Sequence, residues 1–257
     1  SLPNEIVLRD DQMVGFIRFG NDFTQNFYQI EIPLKVTSPS STSANNCSPL
    51  SAEEVWPEDN NIDLSLALLT QLKIQAMSVD LSTLPLDGIY YQNEDELNPS
   101  LANKTNKLRL GIKGNPNFGL VRTLMVGVKS NETHQNIKGE VWFNELRLAD
   151  MDNQGGMAAV LNIDTNLADF ATISATGKKS TIGFGALEQG PNERSREDIE
   201  QYNIVTNLNL GKLLPSKWGI NLPFNYAVGE ETITPQYDPF NQDIKLRQLL
   251  DNTTDAN

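Results

Sequence analysis

The chain has 257 residues, enough for one large or two ordinary domains. Its 39% hydrophobic content and mean hydropathy of -0.38 are low for a packed soluble domain, but too high for a disordered chain. The net charge of -13 argues against nucleic-acid binding, because a phosphate backbone requires clustered Lys and Arg.

The first 37 residues predict three β-strands. Residues 5–9, 13–19 and 27–36 are rich in β-branched and aromatic side chains. Pro33 places the third strand at a sheet edge or at its own end, because proline cannot donate to a strand ladder. Residues 38–51 are rich in Ser, Asn and Pro, which predicts a mobile loop.

Residues 63–76 form the best helix candidate. Apolar side chains recur on one face at helical spacing, at Leu64, Leu68 and Leu72, with Leu69 and Ala76 beside them. Asp63 is able to cap the N-terminus. We expect this helix to lie on a sheet.

Three further segments, 107–113, 120–129 and 139–148, predict strands separated by Asn, Gly and Pro. We therefore expect a predominantly all-β fold. Residues 1–150 would form a β-sandwich in the jelly-roll manner with one packed helix.

The pattern changes in residues 151–257, where apolar and polar side chains alternate over 157–167, 202–211 and 220–228. Antiparallel strands of roughly 9–11 residues match a tilted span of an outer membrane. A soluble antiparallel sheet with one wet face alternates identically, and periodicity alone favours that more common structure. Residues 188–201 are strongly charged and predict a loop, and residues 243–250 predict a frayed helix.

The residues that carry chemistry are sparse. Cys47 and His134 are the only residues of their types, so we expect neither an internal disulfide nor a Cys- or His-based metal site. The acidic run 93–96 could bind calcium, but it lacks EF-hand spacing and is more typical of a solvated loop. We expect no catalytic residues, no metal and no cofactor, and therefore no enzyme.

Several segments in order closely resemble the SprA/Sov family of Bacteroidetes, which forms the outer-membrane translocon of the type 9 secretion system and is linked to gliding motility. They are NPNFGLVRTLMVGV (115–128), GEVWFNELRL (139–148), LADFA (167–171), GFG (183–185), YN (202–203), LGKLLP (210–215), INLP (220–223) and YDP (237–239). Upstream, IRFG (17–20), YQIEIPL (28–34) and VWP (55–57) fit as well. The resemblance spans nearly the whole chain, and no single motif carries it.

The resemblance implies that the chain is an internal fragment of a much longer protein whose N-terminal signal lies elsewhere. That protein would be a single-chain barrel of about 36 strands, the largest kind known. It would export folded cargo proteins that carry a C-terminal targeting domain. A periplasmic plug protein and a PorV-like outer-membrane partner would gate it, and the first domain would be inserted outside the membrane, at the cell surface.

The resemblance also assigns roles to residues. Those expected to pack structurally are Trp142, Phe143, Leu146 and Leu148. Those expected to face lipid are Leu161, Ile163, Ile204, Leu208 and Phe224. Those expected to face the pore are Asn162, Asp164, Asn203, Asn207 and Asn209.

Two other functions remain open from the residues alone. A secreted glycan-binding jelly roll would use Trp56 and Trp142 as stacking rings, although it leaves the second half unexplained. A soluble hydrolase with carboxylate catalysis is permitted by the many acidic residues, although none of them is distinguished.

Overall fold

The computed structural model describes residues 8–37, 51–131, 139–149 and 153–254. The predicted strand at 5–9 and the predicted loop at 38–51, with Cys47, fall largely outside these residues. His134 also falls outside them.

The chain divides into two compact units. Unit 1 comprises Ser1–Glu145 and Asn241–Ile244, and unit 2 comprises Leu146–Phe240 and Lys245–Asn257. Residues 241–244 therefore return to unit 1, which the predicted division at residue 150 did not include.

Unit 1 is built on an antiparallel sheet with the order β3-β4-β2-β1-β5. Its strands are β1 (Met13–Gly20), β2 (Phe27–Pro33), β3 (Tyr90–Asn93), β4 (Arg109–Lys113) and β5 (Thr123–Ser130). The strand predictions at 13–19, 27–36, 107–113 and 120–129 are confirmed with shifted ends. Pro33 ends β2, which lies inside the sheet rather than at its edge.

The residues that the structure describes contain four α-helices, three in unit 1 and the last in unit 2. They are α1 (Ala52–Val55), α2 (Leu66–Met77), α3 (Glu94–Leu97) and α4 (Leu246–Thr254). The predicted central helix is α2, but Asp63 does not cap it, because the chain stays non-helical through the N-cap residue Ser65. The predicted helix at 243–250 begins at Leu246, because Asp243 and Ile244 are buried in unit 1 instead.

The core of unit 1 lies between α2 and one face of the sheet. Leu69 and Leu72 of α2 are fully buried in one cluster with Tyr28 of β2 and Leu110 of β4. The expectation of a helix lying on a sheet is confirmed. Among the described residues of unit 1, α2 provides the second layer that the sandwich prediction assigned to strands.

The predicted strand at 139–148 is wrong. The described residues 139–149 have no regular secondary structure. Strand propensity alone is insufficient, since a strand also needs a neighbour to accept and donate its backbone hydrogen bonds.

Unit 2 contains a four-stranded antiparallel sheet in sequential order. Its strands are β6 (Ala158–Leu167), β7 (Ala171–Ser180), β8 (Glu197–Asn209) and β9 (Pro223–Pro235). The three predicted strands are confirmed, and β7 was not predicted. β8 starts at Glu197, so the predicted charged loop at 188–201 is wrong in its C-terminal part. With two antiparallel sheets and few helices, the predominantly β fold class is confirmed.

Candidate functional site

The strand register of unit 2 gathers the five predicted lipid-facing residues on one side of the sheet. Directly opposite residues of antiparallel strands share a face. Ile163 opposes Ala175, which opposes Ile204, and Leu208 opposes Phe224. Leu161 lies two residues before Ile163 on the same face. We call this side the apolar face; it carries Leu161, Ile163, Ile204, Leu208 and Phe224.

The five predicted pore-facing residues lie on the other side of the same sheet. Asn162 opposes Thr176, which opposes Asn203, and Asn207 opposes Asn225. The hydroxyl of Ser174 donates to Asp164 Oδ1 over 2.6 Å. We call this side the polar face; it carries Asn162, Asp164, Asn203, Asn207 and Asn209, with further amides and hydroxyls and some apolar residues such as Val160 and Val205.

Both faces of the sheet are open in the part of the chain that the structure describes. Every residue of β6 is exposed, and the side chain of Leu161 is 63% accessible. Ile204 and Leu208 are half-buried by their neighbours in the sheet. A soluble sheet with one wet face would bury the other. This sheet instead exposes both its apolar face and its polar face.

Charged side chains limit the apolar face at one end. Lys179 pairs with Glu200 on the neighbouring strand over 2.6 Å, and the Tyr202 hydroxyl donates to Glu230 over 3.1 Å. Leu161 belongs to the same row as Tyr202, so it lies at the border of the apolar region.

Asn209 differs from the other predicted pore-facing residues. It is half-buried at the end of β8, opposite Pro223. Its side-chain oxygen is buried without a hydrogen-bond partner among the described residues. Its role in lining a pore stays a prediction.

The connections of this sheet differ in length at its two ends. The turn 168–170 between β6 and β7 is short and holds Ala168 in the left-handed region, with φ of 48°. It lies at the same end as the connection 210–222. The long loop 181–196 lies at the other end, where the chain also enters β6 and leaves β9.

The four predicted packing residues are exposed. Trp142 is 71% accessible, and Phe143, Leu146 and Leu148 are also open to solvent. Their structural role stays a prediction.

A buried polar cluster in unit 1 escaped the sequence analysis. Lys73 Nζ lies 3.0 Å from Asp243 Oδ2, and their side chains are only 3% and 0% exposed. The hydroxyl of Tyr28 donates to the same Asp243 oxygen over 2.9 Å, and the backbone N–H of Phe118 donates to the other oxygen. Burial, and then the negative charge of Asp243, raise the pKa of Tyr28 far above its usual range.

The acidic run 93–96 is not a solvated loop, and that interpretation is wrong. Glu94 is buried, pairs with Lys104 over 2.8 Å and accepts from the backbone N–H of Leu108. Asp95 pairs with Lys107, whose hydrogen bond holds the pKa of Asp95 below its usual range. These carboxylates therefore fix α3 against residues 104–108, the segment that leads into β4.

Within the described ranges, no group of three or more His, Cys, Asp or Glu side chains is placed to hold a metal ion. Among the helices that the structure describes, none is both long and apolar enough to cross a membrane.

Comparison with known proteins gives one family. The family model SprA_N, described as a motility related/secretion protein, matches residues 4–250. No curated protein matches the chain.

Proposed function

This chain belongs to the SprA_N family of motility related/secretion proteins, and from that premise we propose that it forms part of an outer-membrane pore. The pore exports folded cargo proteins through the type 9 secretion system. In this proposal β6–β9 are strands of the barrel wall, and the chain acts without catalysis.

The observation that carries the proposal is the sorting of side chains by the strand register. Five apolar residues share one face and five polar residues share the other, over strands of 10 to 13 residues. Neither face is covered among the described residues. A lipid phase on one side and water on the other is the environment that this arrangement fits.

The proposed mechanism is physical. A closed barrel satisfies its backbone N–H and C=O groups without a free edge, which is the condition for crossing lipid. The polar face, rich in neutral amides, would offer passing proteins weak and exchangeable hydrogen bonds. Hydrated cargo would then move along the wall without being held.

The topology supports an orientation for the wall. Outer-membrane strands are usually joined by short periplasmic turns and longer extracellular loops. We therefore assign the three-residue turn 168–170, and with it the 13-residue connection 210–222, to the periplasmic end, and the longest connection, 181–196, to the cell surface. The chain enters β6 and leaves β9 at this surface end, which fits an insertion domain outside the membrane.

The proposed partners come from the family resemblance rather than from a particular surface of the chain. They are the lipid bilayer, a periplasmic plug protein, a PorV-like outer-membrane protein and cargo with a C-terminal targeting domain.

Cysteine labelling tests the assigned faces. In a Cys47→Ser background, Asn207→Cys and Leu208→Cys place a thiol on opposite faces at adjacent positions. A water-soluble maleimide should label the thiol at position 207 readily and the thiol at position 208 slowly in outer membranes. A lipid-soluble quencher should affect a fluorophore at position 208 but not at position 207. Equal behaviour of the two positions would contradict the assignment.

A blocking experiment tests the export function. A bulky maleimide attached at Asn203→Cys in the intact protein should reduce the amount of cargo released to the medium. The same adduct at Ala168→Cys, in the turn, is the matched control and should leave release near the unlabelled level. Undiminished release after complete labelling at position 203 would refute a pore lined by the polar face.

A further inference from the structure

Residues 241–244 occupy an unusual place in the topology. Sheet 2, the sheet formed by β6–β9, ends at Pro235, and Tyr237 then pairs with Lys245 in an isolated β-bridge. Both belong to unit 2, whereas the four residues Asn241–Ile244 between them belong to unit 1. The chain thus leaves unit 2, contributes a short segment to unit 1 and returns.

Unit 1 binds this segment through an ion pair and several hydrogen-bond donors that all point at Asp243. Asp243 receives Lys73 Nζ and the Tyr28 hydroxyl at one oxygen and the Phe118 N–H at the other. The Thr70 hydroxyl donates to the Asp243 backbone carbonyl over 3.1 Å. We call the binding groups of Lys73, Tyr28, Thr70 and Phe118 the acceptor site.

Without residues 243–244, the polar groups of the acceptor site would be buried without their main partner. Lys73 also donates to the Pro116 carbonyl over 2.7 Å, but Asp243 is the one carboxylate with which its ammonium forms an ion pair in the described residues. A buried ammonium without a counter-charge is strongly disfavoured. Ile244, fully buried beside Asp243, adds apolar contact.

We infer that unit 1 contains a binding site for an Asp-Ile segment, which residues 243–244 of the same chain occupy, and that unit 1 completes its core only when this segment is supplied. The segment follows β9 in the chain. Domains usually fold as units during synthesis, N-terminal first. Folding of unit 1 is therefore completed only after residues 241–244 have been synthesised, and these follow all four strands of sheet 2 in the chain.

This inference does not rest on the proposed function, since it needs no membrane and no cargo. It concerns only the order in which unit 1 becomes complete, and labelling results at Asn207 and Leu208 do not affect it.

Hydrogen exchange of the whole chain tests the inference. Asp243→Asn keeps the shape of the side chain and removes its charge, leaving Lys73 unpaired. Amides of β2 and β4 should then exchange about a hundredfold to a few thousandfold faster, while amides of β7 and β8 keep their rates. Asp251→Asn, the same change on exposed α4, should alter neither set.

A second variant separates loss of the charge pair from general damage. Lys73→Met combined with Asp243→Asn removes both charges, so β2 and β4 should exchange at least tenfold more slowly than in Asp243→Asn alone. Unchanged rates in β2 and β4 in the single variant, or equal acceleration in all four strands, would overturn the inference. So would a double variant that exchanges as fast as the single one.

A synthetic peptide of residues 238–247 tests recognition directly. In the Asp243→Asn chain, the substituted segment binds the acceptor site more weakly, so an added peptide is able to compete for the site. The peptide should be supplied at about millimolar concentration, because that is the usual effective concentration of a segment on a short flexible tether. The unaltered peptide should slow exchange of β2 and β4 in that chain at least tenfold. The same peptide carrying the Asp243→Asn change should have no effect; rescue by neither peptide, or by both equally, would overturn the site.

Discussion

Two leucines show how the two sheets differ. Leu69 in unit 1 is 0% exposed in a closed core, whereas Leu161 in sheet 2 is 63% exposed on an open face. The same contrast holds for ion pairs, since Lys73–Asp243 is buried and Lys179–Glu200 is open to solvent. Unit 1 is stabilised by its own interior, while sheet 2 leaves both of its faces largely exposed. The same residue types are therefore buried and stabilising in unit 1 but exposed to the surroundings in sheet 2.

The ion pairs give the largest expected difference. Lys73→Met removes one partner of a buried pair and should lower the free energy of unfolding of unit 1 by about 3–5 kcal/mol. Lys179→Met removes one partner of an exposed pair and should leave stability nearly unchanged. Denaturant unfolding of each variant measures both values. Similar losses for the two lysines would remove the contrast.

Leucine truncation tests the contrast in the apolar residues. Leu69→Ala should cost about 2–5 kcal/mol, because a cavity is left in a packed core. Leu161→Ala deletes the same atoms from an exposed position and should cost less than about 1 kcal/mol in detergent solution. The comparison requires unfolding to be followed separately, by amide exchange in β4 and in β7.

Charge insertion sharpens the contrast between the faces of sheet 2. Arginine facing the middle of a bilayer costs about 2–4 kcal/mol. Leu208→Arg should therefore reduce the amount of protein found in outer-membrane fractions, and Leu161→Arg should reduce it less, because Leu161 lies at the border of the apolar face. Asn162→Arg and Asn207→Arg, each at the adjacent position, should leave that amount nearly unchanged. Equal tolerance of both sets would contradict the facing we propose.

Alkaline pH should affect unit 1 through two tyrosines. Burial, and then Asp243, raise the pKa of Tyr28, and burial, and then Glu31, raise the pKa of Tyr91. A raised pKa means that the folded state resists losing a proton which the unfolded state releases. The stabilisation is therefore complete below about pH 10, the ordinary tyrosine value, and is lost as the pH rises above it.

The expected slope above pH 10 is about 1.4 kcal/mol per pH unit for the buried Tyr28 and smaller for Tyr91, which is only half-buried. Tyr28→Phe should flatten the dependence of the unfolding free energy on pH in this range, and Tyr28→Phe with Tyr91→Phe should flatten it further. Denaturant titrations between about pH 9 and about pH 11 measure the slope. An unchanged slope in the double variant would show that these hydroxyls do not control alkaline stability.

Strands with strong alternation were predictable from the sequence, and weakly patterned ones were not. In β6, β8 and β9, large apolar residues recur at alternate positions with few interruptions, as at Leu161, Ile163 and Leu167 in β6. β7 places Ala171, Ala175 and Gly177 at the corresponding positions, so its apolar signal is weak. β3 has four residues, too few to show a period.

Long-range partners explain what the sequence could not predict. Asp243 lies in a polar stretch and resembles a solvated acid, but its partner Lys73 is 170 residues away. Glu94 resembles part of a charged loop until Lys104 and the Leu108 N–H are placed beside it. In the opposite direction, residues 139–148 have the propensity of a strand and lack a neighbouring strand in the described structure.

The even number of strands in sheet 2 has a consequence for how such sheets vary. Because β6 starts and β9 ends at the same end of the sheet, adding or removing a whole hairpin leaves both exits where they were. A single added strand would move one exit to the far end. Sheet 2 is therefore able to gain or lose strands in pairs while the chain segments before β6 and after β9 keep their positions.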